Sequence, residues 1–207
     1  MPRRSLATDM GLCNWSGIRI SYLDGKPGFY NLLVGYTNKD EVDFKRINPG
    51  DVVQGKVSEK SDNYALAVGA SQFLWGVKAA GRYDGQFVGF GPFMRAGVAP
   101  DDRSAIDQFY SVGIGGNGGF ANRVNDNWGI GWAGTHYSKY LRRDIEFVEG
   151  VLGNNLQLDG FEHIYEAYYN LALTPSTRIS FNAQYIQSSI ESADDPVVLG
   201  TRLQIDL

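Results

Sequence analysis

The side chains that most often carry catalysis or bind metal ions are scarce in this sequence. It contains two histidines, His136 and His163, and one cysteine, Cys13. Neither histidine has a carboxylate partner close in sequence, so the spacing predicts neither a metal centre nor a catalytic triad. The acidic pairs at 101–102 and 194–195 lie beside prolines, which favours solvated turns over paired catalytic carboxylates. The sequence therefore predicts a protein that is not an enzyme and holds no metal or cofactor.

One glycine cluster has the spacing of a dinucleotide-binding loop. Gly113, Gly115 and Gly118 match the pattern G-x-G-x-x-G. That loop works only when a helix begins at its last glycine, because the helix N-terminus holds the pyrophosphate. The residues that follow, 119–126, predict a turn leading into a strand. We therefore expect these glycines to thin a sheet or to allow its curvature.

The composition excludes several classes of protein. Glycine supplies 26 of the 207 residues, and apolar residues make up 43%. The net charge of −4 argues against nucleic-acid binding through a basic face, and a single cysteine excludes an internal disulfide. No apolar stretch approaches the ~20 residues of a membrane-spanning helix, whereas the short strands of a membrane β-barrel remain compatible. Residues 1–11 are basic but lack the apolar region of a signal peptide, so no export signal is expected in the chain as written.

Apolar and polar residues alternate with a period of two along most of the chain. Tyr30 and Leu32 fall on one face of their segment, and Asn31 and Gly35 fall on the other. This alternation is typical of half-buried antiparallel strands. It predicts one all-β domain over residues 1–207, with about nine strands at 16–24, 28–38, 62–75, 86–98, 106–116, 126–137, 160–173, 177–189 and 197–207.

The connections between these strands alternate in length. Short connections occur at 24–27 and 175–177, and long ones at 39–61 and 138–159. Short turns on one rim and long loops on the other are the arrangement of outer-membrane β-barrels. Pro92 lies inside a predicted strand, which implies a bulge or a missing ladder bond there. Apolar residues at helical spacing predict a short helix within the second long loop: Leu141, Ile145, Val148 and Leu152.

The two faces of the predicted sheet differ in chemistry. One is aromatic and aliphatic, and the other carries glycine, serine, amides and charges, as expected for a wet barrel interior. We expect thirteen residues of the first face to contact lipid: Tyr30, Leu32, Val34, Tyr36, Trp128, Ile130, Trp132, Tyr165, Tyr169, Ile179, Phe181, Leu199 and Leu203. The pattern by itself also allows a soluble barrel whose apolar face points inwards.

Several motif positions follow one another in a fixed order in the second half of the chain. An aromatic-x-Arg-x-Gly strand leads through a glycine-rich strand and an Arg/Asp turn to a Gly-x-Gly strand, with the matching residues Arg95, Gly113, Gly115, Arg123, Asp126, Gly129 and Gly131. The hairpin at 161–187 and the strand at 196–207 complete the set. Together they resemble the carbohydrate-selective porins of Gram-negative outer membranes (OprB type), over about residues 62–207.

The resemblance implies a transmembrane antiparallel β-barrel of about sixteen strands through which small sugars diffuse passively. About nine strands is near half of that number, so we expect this chain to be the C-terminal half of such a porin. On this view it is truncated, its signal peptide is absent, and its location is the bacterial outer membrane. Sugars are the expected solutes and outer-membrane lipid the surroundings, with homo-oligomer formation left open and nucleic acid excluded. The alternative is a soluble or structural β-barrel binding module without transport activity.

Polar residues that alternate with the lipid-facing ones are the candidate site. We expect nine of them to line the pore and contact solute: Arg95, Glu162, Glu166, Asn170, Arg178, Asn182, Gln184, Arg202 and Gln204. An arginine facing hydrocarbon would cost about 2–4 kcal/mol, so the alternation fixes the direction of these side chains. Two roles stay open at this point. Their donors and acceptors either hydrogen-bond the hydroxyls of passing sugars or form a structural network that braces the wall.

Overall fold

Long antiparallel strands make up most of the chain. The computed structural model describes residues 11–22, 25–47, 58–79, 85–118, 123–152 and 158–206. The strands are β1 (Gly11–Tyr22), β2 (Lys26–Thr37), β3 (Glu41–Val42), β4 (Glu59–Lys60), β5 (Asn63–Gln72), β6 (Trp75–Lys78), β7 (Phe87–Val98), β8 (Ile106–Asn117), β9 (Asn127–Tyr137), β10 (Phe161–Thr174), β11 (Thr177–Gln187) and β12 (Val197–Ile205). A 3₁₀ turn (Phe44–Arg46) and one α-helix, α1 (Lys139–Leu152), complete the described elements.

The main sheet follows the order of the chain. β1, β2, β5, β7, β8, β9, β10, β11 and β12 lie side by side in that order, and each neighbouring pair is antiparallel. β6 pairs with β7 beyond the end of β5, while β3 and β4 form a separate ladder. The prediction of about nine long strands in hairpin order is confirmed. The predicted strand ends at 23–24 and 207, and the N-terminal residues 1–10, lie outside the described residues.

Connection lengths separate the two rims of the sheet. The short-turn rim, as we define it, holds the connections at 23–25 and 175–176, and the long-loop rim holds those at 38–62 and 138–160. This agrees with the prediction for these four connections. The 118–126 connection also lies on the short-turn rim, so the separation is less complete than the sequence suggested.

Pro92 lies where β7 changes partner. On one side it is opposite Ile114 of β8 in unbroken register. On the other side, pairing with β5 ends at Phe93 and pairing with β6 begins at Phe90. Pro92 thus has no ladder partner on that side, a position that suits proline because it has no backbone N–H to donate. The predicted irregularity is confirmed.

The sheet is open within the part of the chain that the structure describes. There β1 pairs with β2 alone and β12 with β11 alone, so each leaves one edge without a partner strand. A barrel has no such edges, because its first and last strands pair. The chain thus forms a partial barrel, as the strand count predicted.

All thirteen residues expected to contact lipid share one face of the sheet. Residues directly opposite each other point to the same side, and the registers join Leu32 to Val68, Trp132 to Tyr165 and Ile179 to Leu203. Eight of the thirteen are exposed, as expected, whereas five are partly covered: Tyr30, Trp128, Trp132, Tyr169 and Ile179. For Trp132 the cause is an aromatic neighbour, because its indole N–H donates to Nδ1 of His163 at 3.3 Å.

The described residues contain no buried apolar core. Their buried side chains are polar and lie at the rims: Asp43, Asp107, Asp126, Ser138 and Ser189. A single-layer sheet has no interior, so its large apolar side chains stay exposed to whatever surrounds the sheet. The described residues thus do not pack around the apolar face, which is the packing that the alternative of a soluble barrel requires.

The predicted helix in the second long loop is confirmed as α1. Ser138 caps it, since the Tyr140 amide donates to Ser138 Oγ at 3.2 Å. Of its four predicted apolar positions, the side chains of Val148 and Leu152 lie outside what the structure describes. No helix among the described residues is long and apolar enough to span a membrane.

Candidate functional site

All nine candidate residues share the polar face of the sheet. The registers pair Arg95 with Ser111 and Glu166 with Gly131, and they continue in the same way through β10, β11 and β12. This face is opposite to the one that carries the thirteen apolar residues. The alternation in sequence therefore assigned each of the nine to the correct side.

The structure brings some of the nine together and keeps others apart. Glu166 lies directly opposite Gln184, and Arg178 lies directly opposite Gln204. Arg95 is three strands away from β10, which at the usual strand spacing is roughly 15 Å from Glu166. The candidates are thus spread over the polar face and do not form one compact cluster.

A polar row crosses the face near the short-turn rim. Five residues lie opposite one another on consecutive strands: Asn117, Asn127, Asn170, Ser180 and Arg202. Within it, the amide of Asn170 donates to Oδ1 of Asn127. On β12, Arg202 donates to Gln204 at 3.2 Å and Gln204 donates to Asp206 at 3.0 Å. This part of the face is a hydrogen-bonded band.

Four of the charged candidates behave differently. Arg95, Arg178, Glu162 and Glu166 form no ion pair and no side-chain hydrogen bond with any residue that the structure describes. A bracing network would join such charges to partners on neighbouring strands. Within the described part of the chain, their donors and acceptors remain available to water and solute.

Several aromatic residues on the polar face escaped the sequence analysis, and two of them border the glycines of β8 and β9. Phe93 and Tyr168 lie directly opposite Gly113 and Gly129, respectively. Their outward-facing neighbours, Met94 and Tyr169, occupy the other face. The two-residue period does assign Tyr168 to the face opposite Tyr169. It was missed from the sequence because aromatic residues were assigned to the lipid-facing side.

The glycine cluster is part of the sheet. Gly113 and Gly115 lie within β8 and are opposite Gly131 and Gly129 of β9. Residues 123–126 form a turn and β9 follows, so no helix begins there to hold a pyrophosphate. As expected, these glycines thin the sheet, and they do so on its polar face.

Asp126 joins the turn after β8 to β10. Its side chain is 1% exposed, and Arg123 donates to it through Nε at 2.6 Å and Nη2 at 3.2 Å. The Tyr169 hydroxyl and the Ala172 amide also donate to it, and Arg123 donates to the Ala172 carbonyl at 2.8 Å. Burial alone would raise the pKa of Asp126, but the hydrogen bonds from Arg123, Tyr169 and Ala172 leave it lowered.

We expect Asp126→Ala to destabilise the folded sheet by about 2–3 kcal/mol, because it removes a charged acceptor and leaves the Ala172 amide without it. The measurement is the free energy of unfolding by urea from lipid vesicles. Asn125→Ala, an exposed position in the same turn, is the matched control and is expected to change stability by less than about 0.5 kcal/mol.

The same contact makes stability depend on pH. Because the folded pKa of Asp126 is below its ordinary 3.8, the stabilisation is complete above that value and is lost as pH falls through the lowered pKa. Asp126→Asn should remove this acid dependence. An unchanged loss of stability on acidification in Asp126→Asn would contradict the assignment.

A second polar cluster connects the long-loop rim. Asp102 accepts from Lys60 at 2.5 Å and from Arg103 at 3.0 Å, and Arg103 donates to the carbonyls of Ser61 and Asp62. Partial burial raises the pKa of Asp102, but the hydrogen bonds from Lys60 and Arg103 outweigh it and lower the pKa overall. The predicted turn is confirmed at Asp102, but the predicted solvation is wrong there, because its side chain is 14% exposed and hydrogen-bonded.

The other acidic pair and the histidines have simpler settings. Asp195 is exposed and accepts from the Tyr185 hydroxyl at 2.7 Å, as a turn residue would. His136 does have a carboxylate neighbour in space, since its Nδ1 lies 2.5 Å from Asp107 Oδ1. For His136, the lack of a carboxylate nearby in sequence therefore did not predict the lack of one in space. Among the described residues, no three potential metal ligands lie together.

A single antiparallel sheet with an exposed apolar face and a polar, charged face is a section of a membrane β-barrel wall of the porin type. The family model of the carbohydrate-selective porins, OprB family, matches residues 14–207. The chain belongs to this family, which is one of channels and implies a bacterial outer-membrane location.

A solved structure has the same fold. The structure of Pseudomonas putida OprB at high pH superposes with a TM-score of 0.79 at 21% sequence identity. The match covers 95% of this chain and 48% of that one, so the chain spans about half the length of that protein. No curated protein matches the chain.

Proposed function

We propose that the chain forms part of the wall of an outer-membrane porin through which small sugars diffuse passively. The observation that supports this proposal is the polar face, where Arg95, Arg178 and two glutamates have no ion pair or side-chain hydrogen bond among the described residues, while the opposite face is apolar and exposed. On this proposal the whole chain acts as one barrel domain. Sugars are the transported solutes, and lipid covers the apolar face.

The chemistry of the polar face suits neutral polyols. Arginines supply fixed donors and glutamates supply acceptors, and each sugar hydroxyl can serve as either partner. Charges of both signs on one wall give no strong preference for anions or cations. Contacts must stay weak and numerous, since a tight site would hold the solute and stop conduction.

The nine candidate residues are proposed to line this pore. Arg95 is the first choice for selectivity, because it is exposed and without an ion-pair partner among the described residues. Glu166 is the second, since it lies in the same central region on β10. Arg178, Arg202 and Gln204 would act nearer the short-turn rim.

We expect Arg95→Ala to lower sugar discrimination more than it lowers total conductance. The ratio of swelling rates for glucose and a disaccharide should fall about two- to fivefold, the equivalent of one lost hydrogen bond of about 0.5–1 kcal/mol. Liposome swelling and planar-bilayer recording give the two quantities. Arg46→Ala, an exposed arginine on the 3₁₀ turn, is the control. Unchanged rates and ranking for glucose, larger sugars and amino acids would make Arg95 a wall residue without a role in selectivity.

The function itself is tested with the chain reconstituted alone into liposomes. Sugar-dependent swelling and stepwise conductance in bilayers support the proposal. A folded, inserted chain that conducts nothing under both assays would favour a structural barrel without transport activity.

A further inference from the structure

Four glycines form a bare square of backbone on the polar face. One row of opposite residues runs Phe93, Gly113, Gly131, Glu166, and the next runs Gly91, Gly115, Gly129, Tyr168. Each row begins or ends with an aromatic residue, and the glycines lie between them. With no side chains on the square, the two rings can extend over it.

Both rings do lie over the glycines. A side-chain carbon at Gly131 would be 3.1 Å from Cζ of Phe93, and one at Gly115 would be 3.8 Å from its Cε1. A side-chain carbon at Gly129 would be 2.7 Å from Cε1 of Tyr168 and 3.0 Å from its hydroxyl. The two rings therefore approach each other across the square from opposite sides.

A recess of about 120 Å³ lies between the rings. Its polar-face lining includes Phe93, Tyr168, Glu166, Ser111, Gly131 and Ile164. Glu166 makes no ion pair or side-chain hydrogen bond among the described residues, so its carboxylate is available beside the aromatic surfaces. Apolar walls with a few convergent polar groups are typical of small-molecule sites.

We propose that this recess is a weak subsite for a pyranose ring, an inference that rests on the proposed sugar transport. A pyranose has a flat C–H face that fits an aromatic surface and a rim of hydroxyls that can donate hydrogen bonds. Phe93 and Tyr168 supply the aromatic surfaces. Glu166 accepts from the hydroxyls, and Ser111 donates or accepts. A site with one carboxylate and few contacts holds the ring without trapping it.

Saturation-transfer NMR on the full chain tests this subsite. The chain is folded in lauryldimethylamine oxide, a detergent without a sugar headgroup, and titrated with methyl β-glucoside. Phe93→Leu and Tyr168→Leu should each weaken the apparent affinity about three- to tenfold. Phe90→Leu and Tyr165→Leu are the controls: they remove aromatic rings from the apolar face of the same strands. They should leave the apparent affinity for the glucoside unchanged. Circular dichroism confirms equal strand content in all variants.

Two further measurements separate ring stacking from other causes of glucoside binding. Sorbitol carries comparable hydroxyls without a ring face and should bind at least about tenfold more weakly than the glucoside. Glu166→Gln preserves both rings and should weaken glucoside binding about two- to fivefold. Equal binding of sorbitol, a preference for free arginine over the glucoside, or unchanged affinity in both aromatic variants would overturn the subsite.

Liposome swelling distinguishes this proposal from the transport proposal. Sugar flux without detectable glucoside binding would reject the subsite and leave transport intact. Binding that depends on Phe93 and Tyr168, without flux, would support the subsite and reject transport by this chain.

Discussion

Ala183→Arg is expected to destabilise the inserted sheet by about 2–4 kcal/mol, because it places a charge on the apolar face near the middle of β11. Ala183 is exposed, and its opposite residues are Ala167 and Leu199, neither of which can accept a hydrogen bond through its side chain. On the proposal that lipid covers the apolar face, the guanidinium would face hydrocarbon. Urea titration of the chain in lipid vesicles, followed by tryptophan fluorescence, measures the change.

Gln184→Arg is the matched control for this substitution. It introduces the same side chain one residue further on, where the polar face places it directly opposite Glu166. Here the new charge meets water and a carboxylate, so we expect a change of less than about 1 kcal/mol. If Gln184→Arg cost more than Ala183→Arg, the assignment of the two faces would be reversed.

Gly113→Ala is expected to destabilise the sheet by about 1–3 kcal/mol, the usual effect of overpacking. An added carbon there would overlap the carbonyl oxygen of Ile130 and the ring of Phe93, and it would lie 2.8 Å from Cα of Gly131. The backbone of β9 cannot move away without disturbing its ladder with β10. The free energy of unfolding from vesicles is the measurement, with heat-dependent gel mobility as a second one.

Gly35→Ala is the control, since this glycine also lies within a strand on the polar face. The nearest atom to an added carbon is Cβ of Ala65 at 3.9 Å, which is ordinary van der Waals contact. Because alanine restricts the unfolded chain more than glycine does, the change should be neutral or stabilising by about 0.4–1 kcal/mol. Equal stability of Gly113→Ala and the parent chain would mean that the glycine square is not tightly packed.

The two-residue period was sufficient to assign residues to faces. Successive side chains of a strand point to opposite sides, so a residue such as Arg95 or Gln184 could be assigned as soon as its strand was recognised. The side on which a residue lies does not depend on where its strand begins or ends, so this inference is robust to errors at strand ends. The helix at 139–152 was predictable for a similar reason, from its period of about 3.6 residues.

Neighbours across strands were not predictable in this way. That Phe93 and Glu166 end the same row depends on three successive registers, each set by the hydrogen bonds of a different hairpin. The pairing of His136 with Asp107 and of Asp102 with Lys60 likewise joins residues that are 29 and 42 positions apart. The local sequence pattern does not predict contacts between residues that are so far apart in the chain.

The sequence by itself determined the type of protein: alternation defined an antiparallel sheet with one apolar face and one polar face, and motif positions indicated the porin family. Only the tertiary structure decided which polar groups remain without partners and where the glycine square lies between two rings. The physical reason is that a side chain's direction follows from its own strand, whereas its contacts depend on registers fixed by several strands together.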